Sequence, residues 1–380
     1  MLIQEARRAG VEAVFEYDAA EFTLKGNGMR TYLGNFFDAY CQASPEHKKK
    51  LIGNFVETIR LPQIPETFDE ARTKLVTVIR ERALFTFTDD ELRIQGNQTG
   101  LGVAYEPVST WYVKSLVIDF PQCVSVVTRE NLKKWDVPFS EACELGVQRL
   151  RQCTSPKFAP ENGYFAGKWN DDYDSSRVLL PEIFRGLPLD GDPVAVIPNR
   201  LTLLVTGSRQ TAAIKAMLAR AEEIMKTVAR PQNPSPLIIR NGEVTDFFVE
   251  KSSPVFYEVQ RAHKIAELIY NDQQVALLDK VYKKTGKKML VAKCLLNKLP
   301  DGTYRSQCVW MKGVVSMLPK TDVVWLSDPL KPEKEQILGM VAWDKMMAIA
   351  GDLFLDTEIF PPRYYVSKFP DAEMLRRLLG

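Results

Sequence analysis

The segment from Val194 to Val228 constrains the fold more than any other part of the chain. It opens with an apolar run, Val194 to Ile197, interrupted by Pro198-Asn199-Arg200. A second apolar run, Leu201 to Val205, ends at Gly207-Ser208. Ile214, Met217, Leu218, Ala221, Ile224, Met225 and Val228 then recur at helical spacing. That pattern predicts one apolar stripe on a helix beginning near Gln210, with Arg220, Glu223 and Lys226 facing away from it. Two strands and an amphipathic helix thus follow one another directly, and each has a face to bury.

At 380 residues the chain exceeds what one core ordinarily organises, so two domains are expected. The boundary is placed at 229–236, Ala-Arg-Pro-Gln-Asn-Pro-Ser-Pro, because three prolines follow directly on a finished helix. The expected domains are 1–231 and 232–380. A composition 45% hydrophobic and 26% charged is that of a folded chain, not a disordered one. The 50 basic and 48 acidic side chains leave a net charge of +2, too little to attract nucleic acid or an anionic membrane surface. The first residues, MLIQEARRAGVEAVFEYD, carry charges throughout, so no secretory signal is expected. No run approaches the roughly 18 apolar residues of a membrane span. Six cysteines (Cys41, Cys123, Cys143, Cys153, Cys294, Cys308) show no paired spacing and mostly sit in apolar surroundings. They read as buried free thiols in a reducing compartment, which makes the cytoplasm the expected location.

Taken in order, the chain predicts a hairpin across Gly26-Asn27-Gly28 and three helices, at 34–42, after Ser44-Pro45, and at 68–81. Strands are expected from Leu84 onward, with a loop at 96–102 and extended segments at 111–118 and 123–128. Helices follow at 129–135 and 140–152, a strand at 164–169, and a helix at 175–184. Beyond the prolines, Asn241-Gly242 marks a second hairpin, 255–285 a long helix, and Pro300-Asp301-Gly302 a third hairpin. Strands at 323–326, 337–341 and 364–366 and a helix at 371–379 complete the reading. Strands joined by tight turns, with helices before and after, predict an α+β fold in two domains. Each domain is expected to hold a mixed or antiparallel sheet with packed helices, not regular βαβ winding.

Three stretches carry a family resemblance. They are the DxxxSRVLLPEIF pattern beginning at Asp172, VAVIPNRLTLLV from Val194, and the strand, Trp, helix pattern of 124–152. On these, residues 15–245 resemble the YtpQ-like family of uncharacterised bacterial proteins, and the C-terminal 140 residues extend beyond that family's core. The resemblance implies bacterial origin and supports the α+β fold. Because the family has no assigned activity, it carries over no catalytic residue.

Only two histidines are present, His47 among lysines at a polar helix start and His263 beside the apolar stripe of the long helix. Both read as structural or solvated, and no Cys or His falls at zinc-ligand spacing. The cluster Asp171, Asp172 and Asp174, followed by Arg177, is the best candidate for general acid–base or metal chemistry, because close carboxylates perturb one another or hold a hard cation. Acids immediately before a helix are also what capping and the helix dipole favour, and capping by Asp172 or Asp174 is the expected role. Arg200 is expected to form a structural ion pair with Asp172 or Asp174. Thr206-Gly207-Ser208-Arg209 reads as a plain strand-to-helix turn, since it lacks the phosphate-loop pattern. Polar residues at the ends of the C-terminal strands read as turns and caps, and Trp111, Tyr112, Trp310 and Trp325 as core or half-buried faces. No cofactor and no metal is expected. The function expected from this balance is non-catalytic binding of another protein. The alternative is a metal-assisted hydrolase or nucleotidyl-type enzyme using Asp171, Asp172 and Asp174, with Arg177 or Arg200 beside them.

Overall fold

The computed structural model describes the chain except residues 13, 20, 21, 27, 28, 60–63, 95–101, 122, 123, 229, 230 and 287. Helices and several separate sheets give an α+β fold. Two compact units are formed, one from 1–78 and 115–153, the other from 79–114 and 154–380.

In the first unit, strands Glu16–Asp18, Thr23–Gly26 and Met29–Tyr32 make an antiparallel sheet. Helices Leu2–Arg8, Gly34–Gln42 and Pro45–Ile59 accompany it, and Ala6, Val11, Phe15, Leu24, Leu33, Val56 and Ile59 form the core. The Ser44 hydroxyl accepts the His47 N–H at 3.4 Å, the N-cap that Ser-Pro predicts. Asn27 and Gly28 of the predicted hairpin turn lie outside the described residues.

The helix expected over 68–81 stops at Arg72, and Leu75–Glu81 is a strand. Its run Val76-Thr77-Val78-Ile79 is entirely β-branched, and every residue from Leu75 to Arg80 is buried. A strand covered on both faces reads as a continuous apolar run, which happens to satisfy helical spacing at Ala71, Leu75 and Ile79. The opposite error follows it. The strands expected from Leu84 are instead the helix Ala83–Ile94, with Ala83, Thr86 and Asp90 buried along one stripe. Helix Phe139–Gln152, of the first unit, turns Ala142, Cys143, Gly146 and Leu150 inward. Thr77 donates to the Cys143 carbonyl at 2.7 Å, and a Cβ on Gly146 would stand 2.6 Å from the Thr77 nitrogen.

The second unit is built on the strand, strand, helix run of 193–227. Pro193–Asn199 and Thr202–Gly207 pair antiparallel, with Val194 opposite Thr206 and Val196 opposite Leu204. They form the centre of a six-stranded antiparallel sheet whose other strands are Phe158–Glu161, Tyr164–Gly167, Leu237–Arg240 and Glu243–Asp246. Helix Thr211–Thr227 packs Ile214, Met217, Leu218 and Ala221 on Val194, Val196 and Leu204. Asn241 and Gly242, at φ +53° and +87°, supply the two positive values of the hairpin turn.

Residues 231–236 do not separate two bodies. Asn233 and Ser235 are fully buried, Gln232 N–H donates to the Pro198 carbonyl at 2.8 Å, and Phe247 N–H donates to the Pro236 carbonyl at 2.9 Å. The prolines therefore run as part of the sheet's border, where a missing N–H costs nothing. The long helix Phe256–Thr285 then joins two cores. Val259 and Ala262 belong to the core of the six-stranded sheet, and Val275, Leu278 and Tyr282 pack with Val291 and Met317.

Strands Leu295–Lys298, Tyr304–Met311, Val323–Ser327 and Ile337–Ala342 form a mixed sheet, parallel between the middle two. A smaller mixed sheet contains Ser316–Pro319 and Arg363–Val366. Trp310, Trp343, Leu326 and Met346 lead the core here, closed by helices Trp343–Ala350 and Ala372–Leu379. Trp343, Asp344 and Lys345, whose pattern predicts polar residues at a strand end, instead open the first of these helices. The helix expected at 175–184 is two 3₁₀ turns, Ser175–Leu179 and Pro181–Phe184, separated where Pro181 removes a donor. Among the described residues no helix is long and apolar enough to cross a membrane.

Candidate functional site

The acidic stretch folds so that each carboxylate has its own partner. Arg177 donates to both oxygens of Asp171, at 2.6 and 2.7 Å, and Tyr173 N–H adds a bond at 2.9 Å. The Arg177 guanidinium is fully buried, donates to Thr154 Oγ1 at 3.0 Å, and lies 4.6 Å from the Trp169 ring centroid. Partial burial opposes ionisation of Asp171, but the Arg177 and Tyr173 bonds outweigh it and hold its carboxyl below the usual range. Asp172 pairs with Arg200 at 2.8 Å on the surface. Asp174 is buried, which pushes its carboxyl up, and accepts the N–H groups of Asn170 and Asp171. Its side chain thus reaches backward in the chain and does not cap the turn that follows, contrary to the capping expectation. Among the described residues no three Asp, Glu, His or Cys side chains are grouped to hold a metal. This arrangement ties the 170–177 loop to the turn at Arg200, whose carbonyl also accepts the Ser175 N–H at 3.3 Å.

The Thr206–Arg209 turn is closed from within. Ser208 and Arg209 N–H donate to the carbonyls of Asp192 and Asp190, and Gly207 N–H donates to the Gln210 side chain at 2.7 Å. Donors already committed in this way offer nothing to a phosphate.

His47 is exposed beside Ser44, whereas His263 is largely buried and stacked on Phe248 with ring centroids 4.4 Å apart. Its Nε2 lies 2.8 Å from the Phe247 carbonyl and its Nδ1 2.8 Å from Ser235 Oγ. A carbonyl only accepts, so Nε2 carries the proton and Nδ1 accepts from the Ser235 hydroxyl. Burial pushes the imidazolium down in pKa, leaving a neutral ring with neither nitrogen open for base catalysis.

Beside His263 the long helix lines two adjoining recesses of about 280 and 250 Å³, which share Trp111, Lys264 and Glu267. Phe248, Phe256 and Val259 wall the first, and Asp322, Pro361 and Pro362 wall the second. Between them Lys264 Nζ lies 2.6 Å from Asp322, 2.9 Å from Glu267 and 3.2 Å from Ser306 Oγ. Burial alone would lower the Lys264 pKa, but the two carboxylates carry it above the ordinary value. A protonated ammonium is a poor nucleophile, so Lys264 offers this groove a cation and a donor rather than an attacking group. Behind it, Trp111 stacks on Tyr270 at 4.7 Å, and the Tyr270 hydroxyl donates to Glu81 and accepts from Asn233 Nδ2. Spacing along the helix was visible in the sequence. The contribution of Trp111, Asp322 and Pro361 from distant segments was not.

The mixed sheet presents a third feature. Strand register sets Val309, Trp325 and Met340 side by side across three strands. Alternation sends Cys308, Trp310, Val324, Leu326 and Val341 to the opposite, buried face. Trp325 Nε1 donates to Gln307 Oε1 at 3.0 Å, and Leu295 stands opposite Gln307. Leu295, Ile337 and Met340 are 45%, 53% and 39% exposed. An apolar outward face is unusual for a sheet whose other face is already packed.

Compared with family models, with curated proteins and with solved structures, the chain finds no match in any of the three.

Proposed function

We propose that this protein works by binding another protein, and that the outward face of the mixed sheet is its contact surface. The observation that carries the reading is the row Val309, Trp325, Met340, extended by Leu295 and Ile337, on a face where Leu295, Ile337 and Met340 stay exposed. Both residue types are enriched at interface cores, tryptophan because it buries a large area at low entropic cost and methionine because its flexible thioether adapts to a partner surface. The groups that would serve an enzyme are already engaged: Asp171, Asp172 and Asp174 each hold a separate partner, and both nitrogens of His263 are bonded. The alternative of a metal-assisted hydrolase or nucleotidyl-type enzyme therefore draws less support. The described cysteines, Cys41, Cys143, Cys153, Cys294 and Cys308, are free thiols, which supports a cytoplasmic setting, and the YtpQ-like resemblance supports a bacterial one.

The test is site-specific photocrosslinking in the native host, with a benzophenone side chain in place of Met340 and, as a control, in place of the exposed Lys226. The expected outcome is a discrete protein adduct from position 340, lost on adding Trp325→Arg while the melting temperature holds. The same adducts from both positions, or none from position 340, would sink the proposal.

A further inference from the structure

The first unit holds a recess of different character. Helices Leu2–Arg8 and Gly34–Gln42 and the three-stranded sheet supply its walls, enclosing about 360 Å³. No acidic or basic side chain lines it: Leu2, Ile3, Leu24, Leu33, Phe36 and Tyr40 form the interior. Tyr17, Phe22 and Phe37 stand at its mouth, half exposed, with Phe22 edge-on to both neighbours at 6.3 and 5.7 Å. Phe22 holds φ +50°, a left-handed conformation that a bulky side chain adopts only at an energetic cost. Strain of this kind concentrates at ligand-binding positions, and here it sets the Phe22 ring over the opening.

A cation stands close to one wall. The Lys48 ammonium lies 5.0 Å from the centroid of the Tyr40 ring, and among the described residues it has no acidic partner. An apolar interior with a cation held near one wall, on the lining residue Tyr40, is complementary to an amphiphile with a hydrocarbon tail and an anionic head. We propose that this recess binds a medium-chain fatty carboxylate, its chain between Leu24, Leu33 and Phe36 and its carboxylate beside Lys48. The site is independent of the mixed sheet and of the protein-binding reading.

The full chain should be titrated with cis-parinaric acid, a fluorescent fatty acid, then challenged with dodecanoate and with dodecanol. Saturable probe binding is expected, with dodecanoate displacing it at lower concentration than dodecanol. Phe37→Arg alters an exposed position and puts a charge in the mouth, so it should weaken probe binding by roughly tenfold or more. Lys48→Gln should erase the preference for the carboxylate over the alcohol and leave dodecanol unchanged. Trp325→Arg should change nothing. The proposal fails if probe binding does not saturate, if Phe37→Arg binds as well as the parent, if the preference survives Lys48→Gln, or if Trp325→Arg is the variant that abolishes binding.

Discussion

Glu81 ends the buried strand Leu75–Glu81 with its carboxyl against the Tyr270 hydroxyl. Burial pushes that carboxyl up to about 7 from an ordinary 4.5, although the Tyr270 and Asn233 hydrogen bonds oppose the shift. The folded state thus holds a proton that the unfolded chain releases between those two values. Stability from this group is greatest below the lower value and falls as pH rises through the window, by up to ~3 kcal/mol at 1.36 kcal/mol per unit. Glu81→Gln keeps an acceptor for Tyr270 but cannot ionise. Melting curves should coincide for variant and parent near pH 4, and the variant should melt several degrees higher at pH 8. An equal difference at both pH values would show that Glu81 does not titrate in this way. The same residue scale explains the acidic stretch. That Asp171, Asp172 and Asp174 are close was plain from the sequence. The Arg200 pair with Asp172 or Asp174 was expected too, although Arg200 sits in a turn 28 positions along the chain from Asp172, and Asp172 takes it. That Arg177 turns back onto Asp171 was not expected. Asp171 and the buried Arg177 form the pair whose loss would leave a desolvated charge, whereas the exposed Asp172–Arg200 pair contributes little.

At the level of elements, local signals were reliable where their cause is local. The helices Gly34–Gln42, Pro45–Ile59, Arg129–Trp135 and Thr211–Thr227 were legible from caps and stripes, and so was the Asn241-Gly242 hairpin. Thr128 even completes a reciprocal capping box with Asn131. The strand Leu75–Glu81 hides its period because burial on both faces removes the polar positions that reveal it, and the helix Ala83–Ile94 carries Phe and Thr in its first turns, residues that locally favour strands. Gly146 tests the packing that results. A methyl group there would meet Thr77 Oγ1 at 2.4 Å and the Val76 carbonyl carbon at 3.0 Å, with strand backbone behind that cannot retreat. Gly146→Ala should therefore destabilise by about 2–3 kcal/mol despite the better helix propensity of alanine. Gly53, in the helix Pro45–Ile59, has nothing within 4 Å of such a methyl, so Gly53→Ala should stabilise by about 0.5–1 kcal/mol. Urea unfolding of the two variants checks both signs. A neutral Gly146→Ala would mean that the helix does not approach Leu75–Glu81 this closely.

For the molecule as a whole, the segment 231–236 belongs inside one compact unit. Val194 pairs with Ile238 across its ends, and Val259 and Ala262 of the long helix complete the core begun by Ile214 and Met217. A fragment of residues 232–380 should accordingly lack a cooperative thermal transition and bind a hydrophobic dye, because it exposes that half-core. A sharp, reversible melt of the isolated fragment would overturn this account. The sequence by itself determined the α+β class, the strand–strand–helix run of 193–227, most helix starts and the tight hairpins. Each of these arises from backbone preferences and side-chain contacts within a few residues. The tertiary structure alone decided that Leu75–Glu81 is a strand, that the prolines lie within a folded unit, and that Trp325 faces outward while Trp310 faces in. Those outcomes depend on which surfaces meet, as when Thr77 bonds to Cys143 from 66 residues away, and spacing along the chain carries no record of such a meeting.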